Sequence, residues 1–229
     1  MAAQPAGHSS ALLPAIQQQL GRLYDAAIAQ DVRDYLVTDR ALLPALAGAA
    51  GRQAADEQLL VLEDDDGINL ALYIDRAVLA RLSEADPRRQ LSAGNLADYW
   101  TLLEGISHFH YLAWNAAVDK QVTLLELELQ AEVDKYVSTR QLLGSQPGTS
   151  LGAPLIRRLF DDTRPADGLD DAAAERYQTA AMLAARYCAG LESRYPRPHF
   201  PPGMLRELRT FYRLPQRAKI ARIGAGGFA

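Results

Sequence analysis

Residues 91–143 read LSAGNLADYWTLLEGISHFHYLAWNAAVDKQVTLLELELQAEVDKYVSTRQLL and contain two long helical patterns. The first begins near Ser92 or Asn95, whose side chains can accept hydrogen bonds from free amides at a helix start, and it runs to about Val118. The second covers residues 123–143, which are rich in Leu, Glu, Gln and Lys. Because only a short segment joins the two helices, we predict that they pack as an antiparallel pair.

The first helix carries apolar residues around nearly all of its circumference, which is typical of a helix at the centre of a fold. Its polar residues are confined to a narrow stripe. That stripe consists of Thr101, Glu104, Ser107, His108 and Asn115. Their spacing places them on one side of the helix, where they either face water or form a buried polar seam between helices.

The clearest strand signal lies earlier in the chain, where two apolar runs flank the sequence DDDG at positions 64–67. An Asp-Gly pair between such runs predicts a tight hairpin turn, because the central residues of that turn need a positive φ. We therefore predict an antiparallel hairpin over about residues 58–75 that turns at Asp66-Gly67, with residues 34–39 as a candidate third strand. The aspartates lack the loop pattern of a calcium site, so we assign them to the turn.

These elements predict an α+β fold that is mostly α, in which a small antiparallel β element packs on a multi-helix body centred on the long antiparallel helix pair. The segment GSQPGTSLG at 144–152 has the composition of a linker. We therefore divide the chain into an α+β part with the helix pair over residues 1–145 and a helical part with a basic tail over residues 153–229. A single domain is the alternative.

Composition limits the classes of protein to which the chain can belong. It has 229 residues, a formal net charge of −4 and 48% hydrophobic residues, which is ordinary for a soluble globular protein. It contains no long uninterrupted apolar run, so we predict no membrane span. The single cysteine, Cys188, excludes an internal disulfide framework and favours a reducing, cytoplasmic location.

The first candidate site is a metal site on the helix pair. Glu104 and His108 are four residues apart and therefore share one helical face. A carboxylate from the second helix, Glu126 with Glu128 and Glu132 as alternatives, can complete a site for a divalent cation. The simpler interpretation is a row of interhelical hydrogen bonds, which we favour. We therefore predict no cofactor and keep a divalent metal as the alternative.

The second candidate site is a basic segment, residues 195–229, in which seven Arg and Lys residues accompany a single acid, Glu207. Its net charge is +6, so the other 194 residues sum to −10. Such asymmetry is typical of proteins that bind a polyanion such as nucleic acid. The candidate binding residues are Arg206, Arg209, Arg213, Arg217, Lys219 and Arg222. The alternative, which we favour, is a basic segment folded onto the acidic body.

Catalytic signatures are absent from the sequence: it has no GxSxG, Gly-rich phosphate loop, HExxH or paired-cysteine pattern. We therefore expect a cytoplasmic, non-enzymatic interaction or accessory protein that presents helical surfaces to a protein partner, with a homo-oligomer as a further candidate assembly. The alternatives are a nucleic-acid or polyanion binder that uses the basic C-terminus, and a metal-dependent enzyme that uses Glu104 and His108.

Overall fold

The computed structural model describes residues 9–47, 55–64, 67–161 and 170–226. The helices there are α1 (Ser9–Tyr24), α2 (Leu43–Ala47), α3 (Arg76–Glu84), α4 (Leu96–Ala116), α5 (Leu124–Ser145), α6 (Asp171–Arg194), α7 (Pro202–Arg213) and α8 (Gln216–Ala225). The strands are β1 (Leu36–Val37), β2 (Glu57–Asp64) and β3 (Gly67–Ile74). Short 3₁₀ helices cover Val32–Tyr35 and Arg40–Leu42, and a π-helical turn covers Arg157–Asp161. Among these residues, no helix combines the length and the apolar character that crossing a membrane requires.

The helices α4 and α5 form the predicted antiparallel pair. Near the start of α4, the indole N–H of Trp100 donates to Thr139 Oγ1, near the end of α5, at 2.9 Å. Near the end of α4, the hydroxyl of Tyr111 donates to Glu126 in the first turn of α5. Partner numbers on α5 thus fall as residue numbers on α4 rise, which shows that the two helices run in opposite directions. The mostly α, α+β fold is confirmed.

The α5 helix lies between α4 and α6 and packs against both. Residues 129–140 are buried without exception, although this run contains two carboxylates, a lysine and an arginine. Charged groups without water must find partners inside the protein, because an unpaired buried charge is very costly. The position of α5 therefore creates a polar interior that its neighbours have to satisfy.

The three strands form one sheet in the order β1-β3-β2. The hairpin of β2 and β3 is antiparallel, as predicted, and its register places Asp64 opposite Gly67. Gly67 is therefore the first residue of β3, and the connection between the strands is residues 65–66, which lie outside the described residues. The predicted turn at Asp66-Gly67 falls partly on that connection.

The candidate third strand departs from the expected antiparallel element, because β1 pairs with β3 in parallel and the sheet is mixed. It also contains only two residues, Leu36–Val37, rather than residues 34–39. Two aspartates account for its length. Asp31 accepts a hydrogen bond from the amide of Arg33, and Asp39 accepts one from that of Ala41. Each capping bond begins a 3₁₀ helix, so the extended backbone is confined to the residues between them.

The sheet packs against α4 at Gly105. A Cβ atom built there would lie 2.7 Å from Glu57 Cγ, 2.9 Å from Leu72 Cδ1 and 3.0 Å from Ile74 Cδ1. These distances are shorter than van der Waals contact, so the close approach of helix and sheet requires a residue without a side chain. It also brings Glu57, the first residue of β2, against the polar stripe of α4.

Replacing Gly105 with Ala should lower the free energy of unfolding by about 1–3 kcal/mol, because the added methyl group forces the sheet away from α4. Chemical denaturation measures the change. The matched control is Gly224→Ala on α8, where an added Cβ meets nothing within 4 Å. That variant should keep or slightly increase its stability, since Ala favours helix over Gly. Equal stability of the two variants would contradict the tight contact.

Most buried hydrophobic residues of α1 and of the helices from α3 to α8 form one continuous cluster, which also includes Leu72 and Ile74 of β3. A smaller cluster of Leu43, Leu60 and Tyr73 lies between α2 and the sheet. The linker-like segment is anchored by Gln146, whose side chain accepts from the amide of Leu91. The division near residues 145–153 stays a prediction, and the continuous cluster is what the single-domain alternative requires.

Candidate metal centre

Many polar side chains of α4 and α5 are buried, including Ser107, His108 and Asn115 of the polar stripe, whereas Thr101 and Glu104 of that stripe are partly exposed. The buried polar residues of the two helices are Ser107, His108, His110, Asn115, Glu126, Gln130, Glu132, Asp134, Lys135, Ser138, Thr139 and Arg140. Most of these have hydrogen-bond partners inside the protein, as buried polar groups generally do. The exceptions are informative, and one of them is His108.

His108 lies between two carboxylates and is only 8% exposed. Its Nδ1 is 3.6 Å from Glu57 Oε1 on β2, and its Nε2 is 3.6 Å from Glu128 Oε2 on α5. Both separations are longer than a hydrogen bond. Within the described residues, the buried Nε2 of His108 and Oε1 of Glu57 have no hydrogen-bond partner. An imidazole nitrogen left in this way is unfavourable unless another group binds it.

Glu104 completes a compact group with His108 and Glu128. One ligand atom from each of the three side chains can be chosen so that all lie within 4.8 Å of one another. The four-residue spacing of Glu104 and His108 brings them together, as the sequence predicts. The side chains of Glu104 and Glu128 are 20% and 22% exposed, so this side of the group reaches the protein surface.

Lys135 forms the other end of the cluster. Its Nζ lies 2.6 Å from Glu104 Oε2 and 2.7 Å from Glu132 Oε1. It is also 5.9 Å from the centre of the Tyr177 ring on α6, within the range of a cation–π contact. Because the side chain of Lys135 is only 5% exposed, its ammonium group depends on these partners rather than on water.

The protonation of the cluster reflects burial and charge together. Burial opposes a charge on His108, but the carboxylates of Glu128 and Glu57 outweigh that effect and raise the pKa of His108 well above its usual value. Burial also works against ionisation of Glu128, yet His108 lowers the pKa of Glu128. For Glu57, burial dominates and raises the pKa. The carboxylates around His108 therefore favour a positive charge at the imidazole, carried either by a proton or by another cation.

Lys135 and Glu132 follow the same principles. Burial by itself disfavours the ammonium form of Lys135, but Glu104 and Glu132 more than offset it and raise the pKa of Lys135. Burial raises the pKa of Glu132, with Lys135 acting in the opposite direction. Lys135 is thus a permanent cation that holds two carboxylates from different helices.

The cluster contains more negative than positive charge. Its four carboxylates belong to Glu57, Glu104, Glu128 and Glu132. The permanent cations are Lys135 and, on α6, Arg176, which also lowers the pKa of Glu128. Because the raised pKa of His108 keeps its imidazole protonated, one negative charge remains, and a divalent cation that displaces this proton would make the cluster neutral. Uncompensated charge in a buried site is costly, so this deficit favours the binding of a cation.

The structure does not bring Glu126, the first candidate from α5, to this group, and Glu128 takes its place. Glu126 instead accepts from the hydroxyl of Tyr111, from Lys120 Nζ at 2.8 Å and from the amide of Gln216 at 3.1 Å. A step of two residues along a helix turns the side chain by about 200°. Glu126 and Glu128 therefore point in nearly opposite directions.

The basic segment is folded onto the protein. Arg209 donates to the carbonyl oxygens of Arg22 and Leu23, and Arg213 donates to those of Tyr24 and Asp25. These carbonyls lie at and just beyond the end of α1, where no helical amide is left to bind them and where a positive charge is favourable. Two arginines of the candidate polyanion face therefore cap the end of a helix.

Lys219 departs further from the expected face, because its side chain is fully buried. Its Nζ donates to Gln130 Oε1 at 2.7 Å and lies 4.5 Å from the ring centre of Tyr111 and 5.0 Å from that of Phe211. Burial lowers the pKa of Lys219 to about 7. Of the six candidate residues, Arg206, Arg217 and Arg222 are exposed without such a helix-capping role, and polyanion binding by them stays a prediction.

Two residues of the cluster escape a search of the sequence. Glu57 begins a strand far from α4 in the chain, and only a tertiary contact brings it to His108. The one available signal is Gly105, a glycine in the interior of a long helix, which indicates close approach by another element. Lys135 appears in the sequence as an ordinary charged residue on a helix surface. Its burial follows from the packing of α6 over α5.

Known proteins offer no guide to the role of this cluster. Comparison of the chain with models of protein families, with curated proteins and with solved structures found no match. The function therefore has to be inferred from the side chains and their geometry.

Proposed function

We propose that this protein binds one divalent transition-metal ion through Glu104, His108 and Glu128 and acts as a metal-dependent enzyme. The observation that carries the proposal is the buried Nε2 of His108, which has no hydrogen-bond partner within the described residues and lies 3.6 Å from Glu128 Oε2, in a compact group that includes Glu104. One imidazole and two carboxylates are ligands that suit Mn²⁺, Fe²⁺ and Zn²⁺.

The position of Glu57 supports this assignment. A histidine that binds a metal through one nitrogen usually directs the other ring N–H at a carboxylate or carbonyl, which fixes the ring and its tautomer. Here Nε2 faces Glu128 Oε2 and Nδ1 faces Glu57 Oε1, each at 3.6 Å. Glu57 is therefore the positioning residue for His108.

An enzyme is favoured over a purely structural metal site by the number of ligands and by access. Structural sites are normally closed by four protein ligands, whereas catalytic sites keep a position for water or substrate. The described cluster supplies three side chains, and two of them reach the surface. A metal ion held in this way would polarise a bound oxygen as a Lewis acid. We prefer this activity to the interaction protein expected from the sequence, because the sequence does not define an interaction surface as clearly as the structure defines this cluster.

The test is metal binding by the purified protein without a histidine tag. Elemental analysis, followed by calorimetric titration of the metal-free protein with Mn²⁺, Fe²⁺ and Zn²⁺, should show one equivalent of metal. His108→Ala should abolish binding, since it removes the only nitrogen ligand. Glu57→Gln should weaken binding by about 10- to 100-fold, as expected for a residue that orients a ligand.

Glu175→Gln is the matched control, because Glu175 is an exposed glutamate on the neighbouring helix α6. Its metal affinity should equal that of the wild type. If the wild type binds none of the three ions, His108 is a protonated partner of Glu57 and Glu128, and the proposal fails. Equal affinity in wild type and His108→Ala would place any bound metal elsewhere.

A further inference from the structure

We infer that Lys135 occupies the place of a second cation, so that its ammonium group limits the cluster to one metal ion. This inference rests on the proposed function and concerns the number of ions that the site accepts. The ammonium nitrogen contacts Glu104 Oε2 and Glu132 Oε1 at 2.6 and 2.7 Å. It is thus bound by two carboxylates that come from different helices.

Four of the side chains form one pair on each of the two central helices. Glu104 and His108 are one pair at four-residue spacing on α4, and Glu128 and Glu132 are another on α5. Helical proteins with two metal ions use the same principle, in which facing helices each direct several ligands inward. Glu104 contributes to both cation positions, because one of its oxygens lies within 4.8 Å of ligand atoms of His108 and Glu128, and its Oε2 also binds Lys135. A shared carboxylate between two cation positions is the arrangement of a bridging ligand.

The charge of Lys135 explains why the second position holds a side chain. A second divalent ion would add a charge of +2 to a cluster that one ion already balances, as the four carboxylates and two permanent cations show. The ammonium group supplies a single charge that is covalently tethered and does not exchange with solvent. The second position therefore stays filled at any metal concentration, which fixes the stoichiometry.

Removing the ammonium group should open the second position. Lys135→Met keeps an unbranched apolar side chain of similar length and leaves Glu104 and Glu132 unpaired. Calorimetric titration with Mn²⁺ should then show two equivalents in Lys135→Met and one in the wild type. Electron paramagnetic resonance should detect magnetic coupling between the two Mn²⁺ ions in this variant. The coupling would not appear if Lys135 only stabilised the fold.

Two further variants complete the test. Lys120→Met removes another lysine that pairs with a glutamate on α5, Glu126, and it should keep one equivalent. The double variant Lys135→Met/Glu132→Gln also lacks a carboxylate of the second position, so it should again bind one equivalent of Mn²⁺. If Lys135→Met is unstable alone, Mn²⁺ should restore its folding, as followed by circular dichroism.

The outcomes separate the two proposals. One equivalent in both wild type and Lys135→Met, or failure of Mn²⁺ to restore folding of the variant, overturns the role of Lys135 and leaves the metal site intact. Absence of binding in the wild type overturns the proposed function itself. Two equivalents in the wild type would show that the lysine does not limit the site.

Discussion

The free energy of unfolding of the wild type should rise with pH above about 7 relative to that of a Lys219→Met variant, by up to about 1.4 kcal/mol for each pH unit. Burial lowers the pKa of Lys219 to about 7 in the folded protein. Above that pH the folded state has released a proton that the unfolded state still holds. Because the unfolded state then binds more protons, stability increases with pH.

The measurement is a series of urea denaturations of both proteins from about pH 6 to about pH 9. Other groups titrate in this range, and His108 acts in the opposite direction, because its raised pKa gives stability that is lost as pH rises through it. The effects of groups that do not interact with Lys219 cancel when the two proteins are compared, whereas Asp134, whose pKa burial raises to about 6 against the lowering effect of Lys219, adds to the difference near pH 6. The residues whose charges or rings face Lys219 are Tyr111, Lys120, Glu126, Gln130, Asp134 and Phe211. A difference that does not change with pH would show that Lys219 keeps its proton.

Replacing Glu126 with Gln should lower the free energy of unfolding by about 2–4 kcal/mol. The carboxylate accepts three hydrogen bonds, from Tyr111, Lys120 and the amide of Gln216, and so ties the start of α5 to α4 and α8. A neutral amide cannot balance the charge of Lys120, and its N–H groups would face other donors. Chemical denaturation measures the loss, with Glu175→Gln as an exposed control that should change little.

The same variant tests the assignment of metal ligands. Glu126 shares a helix with Glu128 but points away from His108, so folded Glu126→Gln should keep the metal stoichiometry of the wild type. Glu128→Gln should show the reverse, with weakened metal binding and a smaller loss of stability. A loss of metal from Glu126→Gln that exceeds the loss from Glu128→Gln would contradict the structure.

Local patterns made much of the fold predictable. The apolar circumference of α4 and the short connection to α5 depend on residues close in sequence, as does the hairpin of β2 and β3. The direction of β1 could not be predicted in this way. The chain passes through β2 before it reaches β3, and no local sequence spacing indicates that β1 pairs with β3 in parallel. The two aspartates that shorten β1 are visible in the sequence, but their capping role depends on the backbone conformation that they adopt.

The candidate site was predictable on α4 and ambiguous on α5. Glu104 and His108 lie on one helix, where spacing alone fixes their relation. To choose between Glu126 and Glu128, one must know how α5 is oriented about its own axis. Residues 129–140 are buried on every side, so the helix lacks the contrast between an apolar and a polar face that would reveal this rotation. Glu57 and Lys135 depend on tertiary packing in the same way.

The basic segment shows a different limit to what can be predicted from composition. Its positive charge suggested a surface for an anionic partner, whereas Arg209 and Arg213 bind the partial negative charge of carbonyl groups at the end of α1. A charge count does not distinguish a phosphate from a helix terminus. Whether the arginines bind a phosphate or a helix end depends on which structural element lies beside them in the folded protein.

These contacts between α1 and α7 have a consequence for the order of events during protein synthesis. Leu23 and Arg209 are 186 positions apart, and Tyr24 and Arg213 are 189 apart. At typical rates of translation, roughly 10–40 s pass between the synthesis of the two helices. Tyr24, which is buried in the finished core and stacks on the ring of Tyr212 in α7, lacks that partner throughout the interval. The contacts between α1 and α7 can therefore form only after most of the chain has been synthesised.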